Sequence, residues 1–199
     1  YILTIGITPP QTSSLCVTCS IMFYYLTAVF ILPILAFLGV FWEVAWLPTK
    51  KRDYDRIAKL AGLQPHEVFH DLGSGTGDLL FYLSRKYKVS GVGVEISPLL
   101  YLYSKIRSIF YKDVKIRYGN LIYHGFSEAD VIYVFLHHAS YNKIIRMIRE
   151  SPKENLKIIL ACWPYKNVAP TKVNKERGKM TYYLYEKAAL VSKHRAALE

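Results

Sequence analysis

Apolar positions follow two regimes along the chain. From Ile21 to Trp42 the run IMFYYLTAVFILPILAFLGVFW holds 22 residues without a charge. After Arg52 the apolar residues come in short bursts separated by polar ones, and the bursts alternate in period. Residues 53–62 (DYDRIAKLAG) have the spacing of a short helix stopped by Gly62. EVFHDLG (67–73) predicts a strand running into a glycine-rich turn, DLLFYLSRKY (78–87) an amphipathic helix, and GVGVE (91–95) a second strand. Pro98 opens a helix to about Phe110, followed by a strand VKIRY (114–118). ADVIYVFL (129–136) and LKIILACW (156–163) are almost wholly apolar, as strands covered on both faces are; residues 141–150 are helical and MTYYLYE (180–186) is a late strand. The alternation predicts an α/β domain, a mainly parallel sheet with helices on both faces.

Charge sharpens the division. None of the 26 Lys and Arg or 15 Asp and Glu residues precedes Glu43, and the net charge of +11 belongs entirely to the remainder. This pattern excludes a simple soluble globule, a disordered chain, a collagen-like repeat and a disulfide scaffold. At a rise of about 1.5 Å per residue, the uncharged run reaches roughly 33 Å, against a hydrocarbon core of about 30 Å. Phe23, Tyr24 and Tyr25 flank it at one end and Trp42 and Trp46 at the other, where amphipathic rings favour the interface. Pro33 inside the run is tolerated in lipid and predicts a kink. The expectation is an N-terminal transmembrane helix over residues 21–47, after an extracytoplasmic segment 1–20 and before a domain 48–195. With no basic residue ahead of the run, a cleaved signal peptide is disfavoured. Lys50, Lys51 and Arg52 place the C-terminal domain in the cytoplasm, or in the matrix of an organelle, with a single pass. Tyr1 implies residues upstream, and Ala196–Glu199 is expected to be a vector-derived scar.

Three cysteines add little. Cys16 and Cys19 form a CxxC without a second pair or a nearby His, so no metal is expected, and Cys162 is expected in the core. The chemistry concentrates in Asp71-Leu-Gly73-Ser74-Gly75-Thr76-Gly77, between a strand and a helix, with Glu95 closing the next strand. Glycines there allow a tight turn and close approach to a ligand, and the helix start offers free N–H groups. A dinucleotide fingerprint needs its third glycine at position 78, where this chain has Asp78, whose carboxylate would face a pyrophosphate. S-adenosylmethionine has no phosphate and carries a sulfonium cation, which suits an acidic residue at position 71.

With these residues in place the chain resembles the class I S-adenosylmethionine-dependent methyltransferases, which implies a Rossmann-like fold. The resemblance implies that Asp71, Gly73, Ser74, Gly75, Thr76 and Gly77 hold the methionine moiety, that Glu95 binds the ribose hydroxyls and that Asn120 contacts adenine. WLPT (46–49), DLGSGTGD, VGVEISPLLYLYSKIR, and ACWPY followed by APTK resemble more narrowly the membrane-anchored protein-lysine methyltransferases that include the enzyme acting on the ATP synthase c-subunit. That likeness covers residues 43–186 and adds Pro48 and Thr49 to the cofactor site. It departs at Thr76 and Asp78, where the family favours Asp and Arg.

The implied reaction is methyl transfer to a lysine amine, leaving S-adenosylhomocysteine. A lysine with an ordinary pKa of about 10.4 must first lose a proton, which an aromatic, desolvating channel favours. Phe135, His137 and Trp163 are the candidate channel, and His138 and Tyr165 the candidate catalytic groups, at the carboxyl ends of strands four and five. The Asn-Pro-Pro-Tyr tetrapeptide that serves amide and ring nitrogens is absent after strand four, where the chain reads LHHAS. The expected partners are a membrane-embedded protein carrying the target lysine and an anionic membrane surface, with no nucleic acid. The alternatives are a lipid or quinone methyltransferase and a non-catalytic membrane-surface protein.

Overall fold

A computed structural model describes residues 22–34, 47–166 and 168–195. The chain divides into two compact units, Tyr1–Trp46 and Leu47–Glu199. In the first, residues 22–34 form helix α1 with exposed apolar side chains from Met22 to Ile34. Thr27 Oγ1 donates back to the carbonyls of Phe23 and Tyr24, at 3.0 and 2.9 Å, which satisfies its hydroxyl within the helix. Among the described residues no helix is long and apolar enough to cross a membrane. The expected span reaches beyond α1 on both sides, and residues 21 and 35–46 lie outside those described, as do 1–20, Cys16, Cys19 and 196–199.

The second unit is one sheet with helices on both faces. Its elements are α2 (Tyr54–Ala61), β1 (Val68–Leu72), α3 (Asp78–Tyr87), β2 (Ser90–Glu95), α4 (Pro98–Ser108), β3 (Val114–Tyr118), β4 (Val131–Val134), α5 (Tyr141–Glu150), β5 (Lys157–Ala161), β6 (Lys172–Asn174), β7 (Tyr182–Glu186) and α6 (Lys187–Arg195). The strand order is β3-β2-β1-β4-β5-β7-β6. The first five strands are parallel, while β7 runs antiparallel to β5 and to β6.

Period-two alternation decides which face each residue serves. Phe69, Tyr133, Ile159 and Leu184 join the buried faces of α2 and α3, including Ile57, Leu80 and Leu83. Leu72, Ile132, Val134, Ile158 and Leu160 meet Ile144, Ile145 and Ile148 of α5 and Leu190 of α6. Gly62, at φ 60°, ends α2 with its N–H on the carbonyls of Ala58 and Lys59, so the glycine stop expected there is realised.

Two expectations need correction. β5 ends at Ala161, so Cys162 is exposed and not core; its φ of 72° turns the chain out of the sheet. β4 ends at Val134, which leaves Phe135 and Leu136 in the following loop. The β6 edge strand and α6 were not anticipated. The β6–β7 hairpin is fastened to α2 by buried Arg56, which pairs with Asp53 and Glu176 at 2.7 Å each and donates to the Asn174 side chain and the Met180 carbonyl.

Candidate functional site

The carboxyl end of β1 becomes a turn that only glycines enter cheaply. Gly73, Gly75 and Gly77 have φ of 85°, 55° and 75°, in the left-handed region. The N–H groups of Gly73 and Ser74 both bond the Val94 carbonyl of β2, at 2.9 and 3.1 Å, which folds the turn across the neighbouring strand. Gly77 then starts α3; a Cβ there would lie 2.8 Å from the Phe81 ring. Glu95, buried at the end of β2, holds the arrangement from the other side. Its Oε2 accepts the Gly75 N–H and its Oε1 the Ser97 N–H, each at 2.7 Å. The expected ribose acceptor is therefore also the strut that joins the turn to the start of α4.

Asp71 lies within the same face, in register with Gly93 on one side and Tyr133 on the other. Burial, and then the Glu95 carboxylate, push its pKa up to about 7. A site that raises an acid this far gains from a nearby cation, the charge S-adenosylmethionine carries on sulfur. The hydroxyls of Ser74 and Ser97 are buried beside Glu95 without a partner among the described residues. Unmet polar atoms around an acidic pair fit a polar, cationic ligand better than an apolar one.

Asp78 does not behave as the sequence suggested. Its carboxylate is engaged by Arg107 of α4 at 2.7 Å and by the Thr76 hydroxyl at 2.6 Å. Arg107 also donates to the Thr76 carbonyl at 3.0 Å and lies 4.7 Å from the Phe81 ring centre. The charge is compensated, so repulsion of a pyrophosphate is not what disfavours a dinucleotide; the spacing of the glycines is. Thr76, Asp78 and Arg107 together form a brace at the two positions, 76 and 78, where the chain departs from the pattern it resembles.

Thr49 reaches the same face. Its hydroxyl lies 2.8 Å from Tyr133 Oη, so the segment entering the domain is pinned against β4 beside the register partner of Asp71. Pro48 is exposed. Asn120, just past β3, accepts the Ile122 N–H at 3.1 Å and caps the short 3-10 turn Leu121–Tyr123; its carbonyl oxygen is thus partly committed.

A second cluster gathers beyond β4 and β5. The rings of His137 and His138 lie 4.1 Å apart, and each is about 6 Å from Trp163, at 6.0 and 6.3 Å. His138, Asn142, Trp163 and Tyr165 line an open pocket of ≈ 490 Å³. The Tyr165 hydroxyl lies 3.2 Å from Asn142 Oδ1, and burial raises its pKa, so it is a hydrogen-bond donor at neutral pH and not a base. Phe135 is not in this pocket; it packs against the core on the α2–α3 face. Of the predicted channel, His137 and Trp163 come together, beside the candidate catalytic residues His138 and Tyr165, while Phe135 does not join them. Among the described residues no group of three His, Cys, Asp or Glu side chains could hold a metal.

Sequence reasoning missed Tyr133, Ser97 and Arg107. A phenol inside the buried strand VIYV was the one available signal, since its hydroxyl must find a partner.

Comparison with known proteins gives this geometry a family. The sequence model of the ANTKMT methyltransferase domain matches residues 71–172, just over half of the chain, from the buried acid of β1 into β6. No curated protein matches significantly. Among solved structures, an RNA methyltransferase from Salinibacter ruber, in complex with S-adenosyl-L-homocysteine, is similar at 26% identity and a TM-score of 0.67, over 70% of this chain and 93% of that one. A MtNAS variant in complex with S-adenosylmethionine aligns at 16% identity and a TM-score of 0.56, over 82% of this chain and 66% of that one. A dimethyladenosine transferase from Plasmodium falciparum aligns at 18% identity and a TM-score of 0.52, over 58% and 42%. These two more distant likenesses concern the fold alone. The buried acid, the three-glycine turn and the acidic end of β2 thus occur on the expected Rossmann-like fold, and the chain belongs to the ANTKMT methyltransferase domain family, a class I methyltransferase dependent on S-adenosyl-L-methionine.

Proposed function

We propose that this protein transfers a methyl group from S-adenosylmethionine to the side-chain amine of a lysine in a membrane protein, and that an N-terminal apolar helix tethers it to the same bilayer. The observation that carries the reading is the family match running without a break from Asp71 to Lys172, through the glycine turn, Glu95 and the His138–Trp163–Tyr165 pocket. The sequence LHHAS after β4, in place of Asn-Pro-Pro-Tyr, supports an aliphatic amine over an amide or ring nitrogen.

S-adenosylmethionine supplies a methyl group already activated by its sulfonium. The work left to the chain is to bind, orient and exclude water. The Gly73–Gly77 backbone and the N-terminal turn of α3 would hold the methionine end, Asp71 would offset the sulfonium charge, and Glu95 and Asn120 would bind the ribose and adenine. Pro48 and Thr49 would border the cofactor from the entering segment, which the Thr49–Tyr133 contact pins to β4. Trp163, His137 and the phenol of Tyr165 form an aromatic mouth that would favour the neutral amine once bound substrate covers it, and His138 is the candidate to receive its proton. When bound, the cofactor would supply the methyl group to the lysine Nζ, with S-adenosylhomocysteine as the leaving product.

The uncharged run of residues 21–42 and the exposed apolar surface of α1 support the tether, and Lys50, Lys51 and Arg52 support a catalytic domain on the cytoplasmic or matrix side. A second reading, methylation of RNA, is favoured by the 26% identical RNA methyltransferase and by the net charge of +11. Incubating the full chain with tritiated S-adenosylmethionine and fractionated membranes separates the readings. Label in protease-sensitive membrane protein supports lysine transfer. Label confined to extracted lipid or to RNA overturns it.

A further inference from the structure

α4 reverses the rule that a surface helix turns its apolar stripe inward. Of its eleven residues only Ser104 is buried. Leu99, Leu102, Tyr103 and Ile106 recur at three- and four-residue spacing and are 45%, 54%, 53% and 55% exposed. The chain just past the helix adds Ile109 at 75% and Phe110 at 83%. At about 100° per residue these positions share one face, a continuous apolar stripe along the β3 edge of the sheet.

The stripe has a cationic border. A shallow depression of ≈ 550 Å³ beside Phe110 is lined by Arg85, Lys88 and Lys112 against the single carboxylate of Asp113. Lys105 is exposed on the flank of α4. An apolar helical face edged by cations is the composition of a segment that lies in the headgroup region of an anionic bilayer. A second copy of the chain is a poorer fit, because it would bring the same cations to the same border and a further charge of +11.

We propose that the outer face of α4, from Leu99 to Phe110, docks on an anionic bilayer surface, with the apolar stripe entering the headgroup–acyl boundary and Arg85, Lys88 and Lys112 meeting lipid phosphates. The contact is additional to the N-terminal tether and does not depend on the identity of the methyl acceptor. It would bring the β3 edge of the sheet down to the lipid.

The full-length chain, with Cys16, Cys19 and Cys162 replaced by Ser, can carry a nitroxide at Ile106→Cys, at Phe110→Cys or, beyond the opposite edge of the sheet, at Lys175→Cys. Each protein is placed in nanodiscs of phosphatidylcholine alone or with phosphatidylserine, and collision with a soluble nickel chelate and with oxygen is read by electron paramagnetic resonance. The expected result is a several-fold loss of nickel access and a gain of oxygen access at 106 and 110 when phosphatidylserine is present. Position 175 should not change, and Lys88→Glu with Lys112→Glu should restore nickel access. Nickel access at 106 and 110 equal to that at 175 in both lipids overturns the proposal. So does a loss that is the same in both lipids and in the charge-reversed variant, which is what cover by a second copy, by a partner protein or by the chain's own apolar segment would give.

Discussion

At the scale of single residues, two neighbours on β1 oppose each other in acid. Asp71 faces the α2–α3 side, and its pKa of about 7 lies above the ordinary 3.8. Between these values the folded protein keeps a proton that the unfolded chain has lost, so this group's contribution to stability falls as pH rises from about 4 to 7. His70 faces the other side, against Phe126, with both ring nitrogens buried and unpartnered among the described residues; burial, then Arg117 and Lys153, lower its pKa from 6.5 to about 4. There the unfolded chain takes up the proton first, so its contribution falls as pH drops from about 6.5 to 4. Asp71→Asn should therefore raise the melting temperature at pH 8, weaken S-adenosylmethionine binding, and leave a steeper loss of stability in acid. Melting curves and calorimetry at pH 5 and pH 8 check all three. A variant less stable than the parent at pH 8 would show that the buried carboxylate is held by a partner of its own.

Glu95 illustrates how a residue legible in the sequence can have a second role that is not. Its position at the end of β2 follows from spacing, but its bonds to the N–H groups of Gly75 and Ser97 exist only once the turn and α4 converge. Glu95→Ala strands two buried donors, at roughly 1–3 kcal/mol each. It should lower both stability and cofactor affinity, whereas Glu95→Gln, which keeps one acceptor, should lose much less of each. Thermal melts paired with calorimetry distinguish this from a residue that serves the ribose alone, where affinity would fall and stability would not. Arg107 and Tyr133 were not legible for the same reason: their partners, Asp78 and Thr49, lie 29 and 84 residues away in sequence.

At the scale of elements, local pattern carried most of the α/β unit because its strands and helices have distinct periods. α3, β3 and α5 have the bounds that the apolar spacing predicts, and α2 and β2 differ by a residue or so. The failures have a common physical cause. The ends of β4 and β5 are set by where neighbouring strands stop pairing, and β6 is three residues long, too short to show a period. Its place depends on Arg56, whose role no local pattern encodes. Replacing Arg56 by Ala leaves Asp53 buried at 1% exposure without that guanidinium, and a loss of about 3–5 kcal/mol is expected from denaturant melts. Gly93 is a second tight joint: a Cβ there would lie 2.6 Å from Ser74 Oγ and 2.8 Å from Leu80 Cδ1. Gly93→Ala should cost about 1–3 kcal/mol and should weaken cofactor binding, because the displaced atom belongs to the glycine turn. Unchanged affinity in a destabilised Gly93→Ala protein would separate the turn from this packing.

At the scale of the whole molecule, charge and hydropathy divide the chain as the contacts do, with Trp46 ending one compact unit and Leu47 beginning the next. The apolar run of the first unit and the exposed stripe on α4 both make membrane association the expected behaviour. The full chain should require detergent or lipid to remain monodisperse, and a monodisperse monomer in plain buffer by light scattering would argue against the tether. The central claim is a methyl group on a lysine of a membrane protein, and fragmentation mass spectrometry of membrane proteins tests it most directly. Cells expressing the parent chain are compared with cells expressing Gly75→Arg, which puts a long side chain at a left-handed turn position, φ 55°, in the proposed cofactor site. The account predicts Nζ-methyllysine in an integral membrane protein with the parent chain and none with Gly75→Arg. Methyl groups that depend on the parent chain but reside only in lipid, RNA or soluble proteins would contradict it.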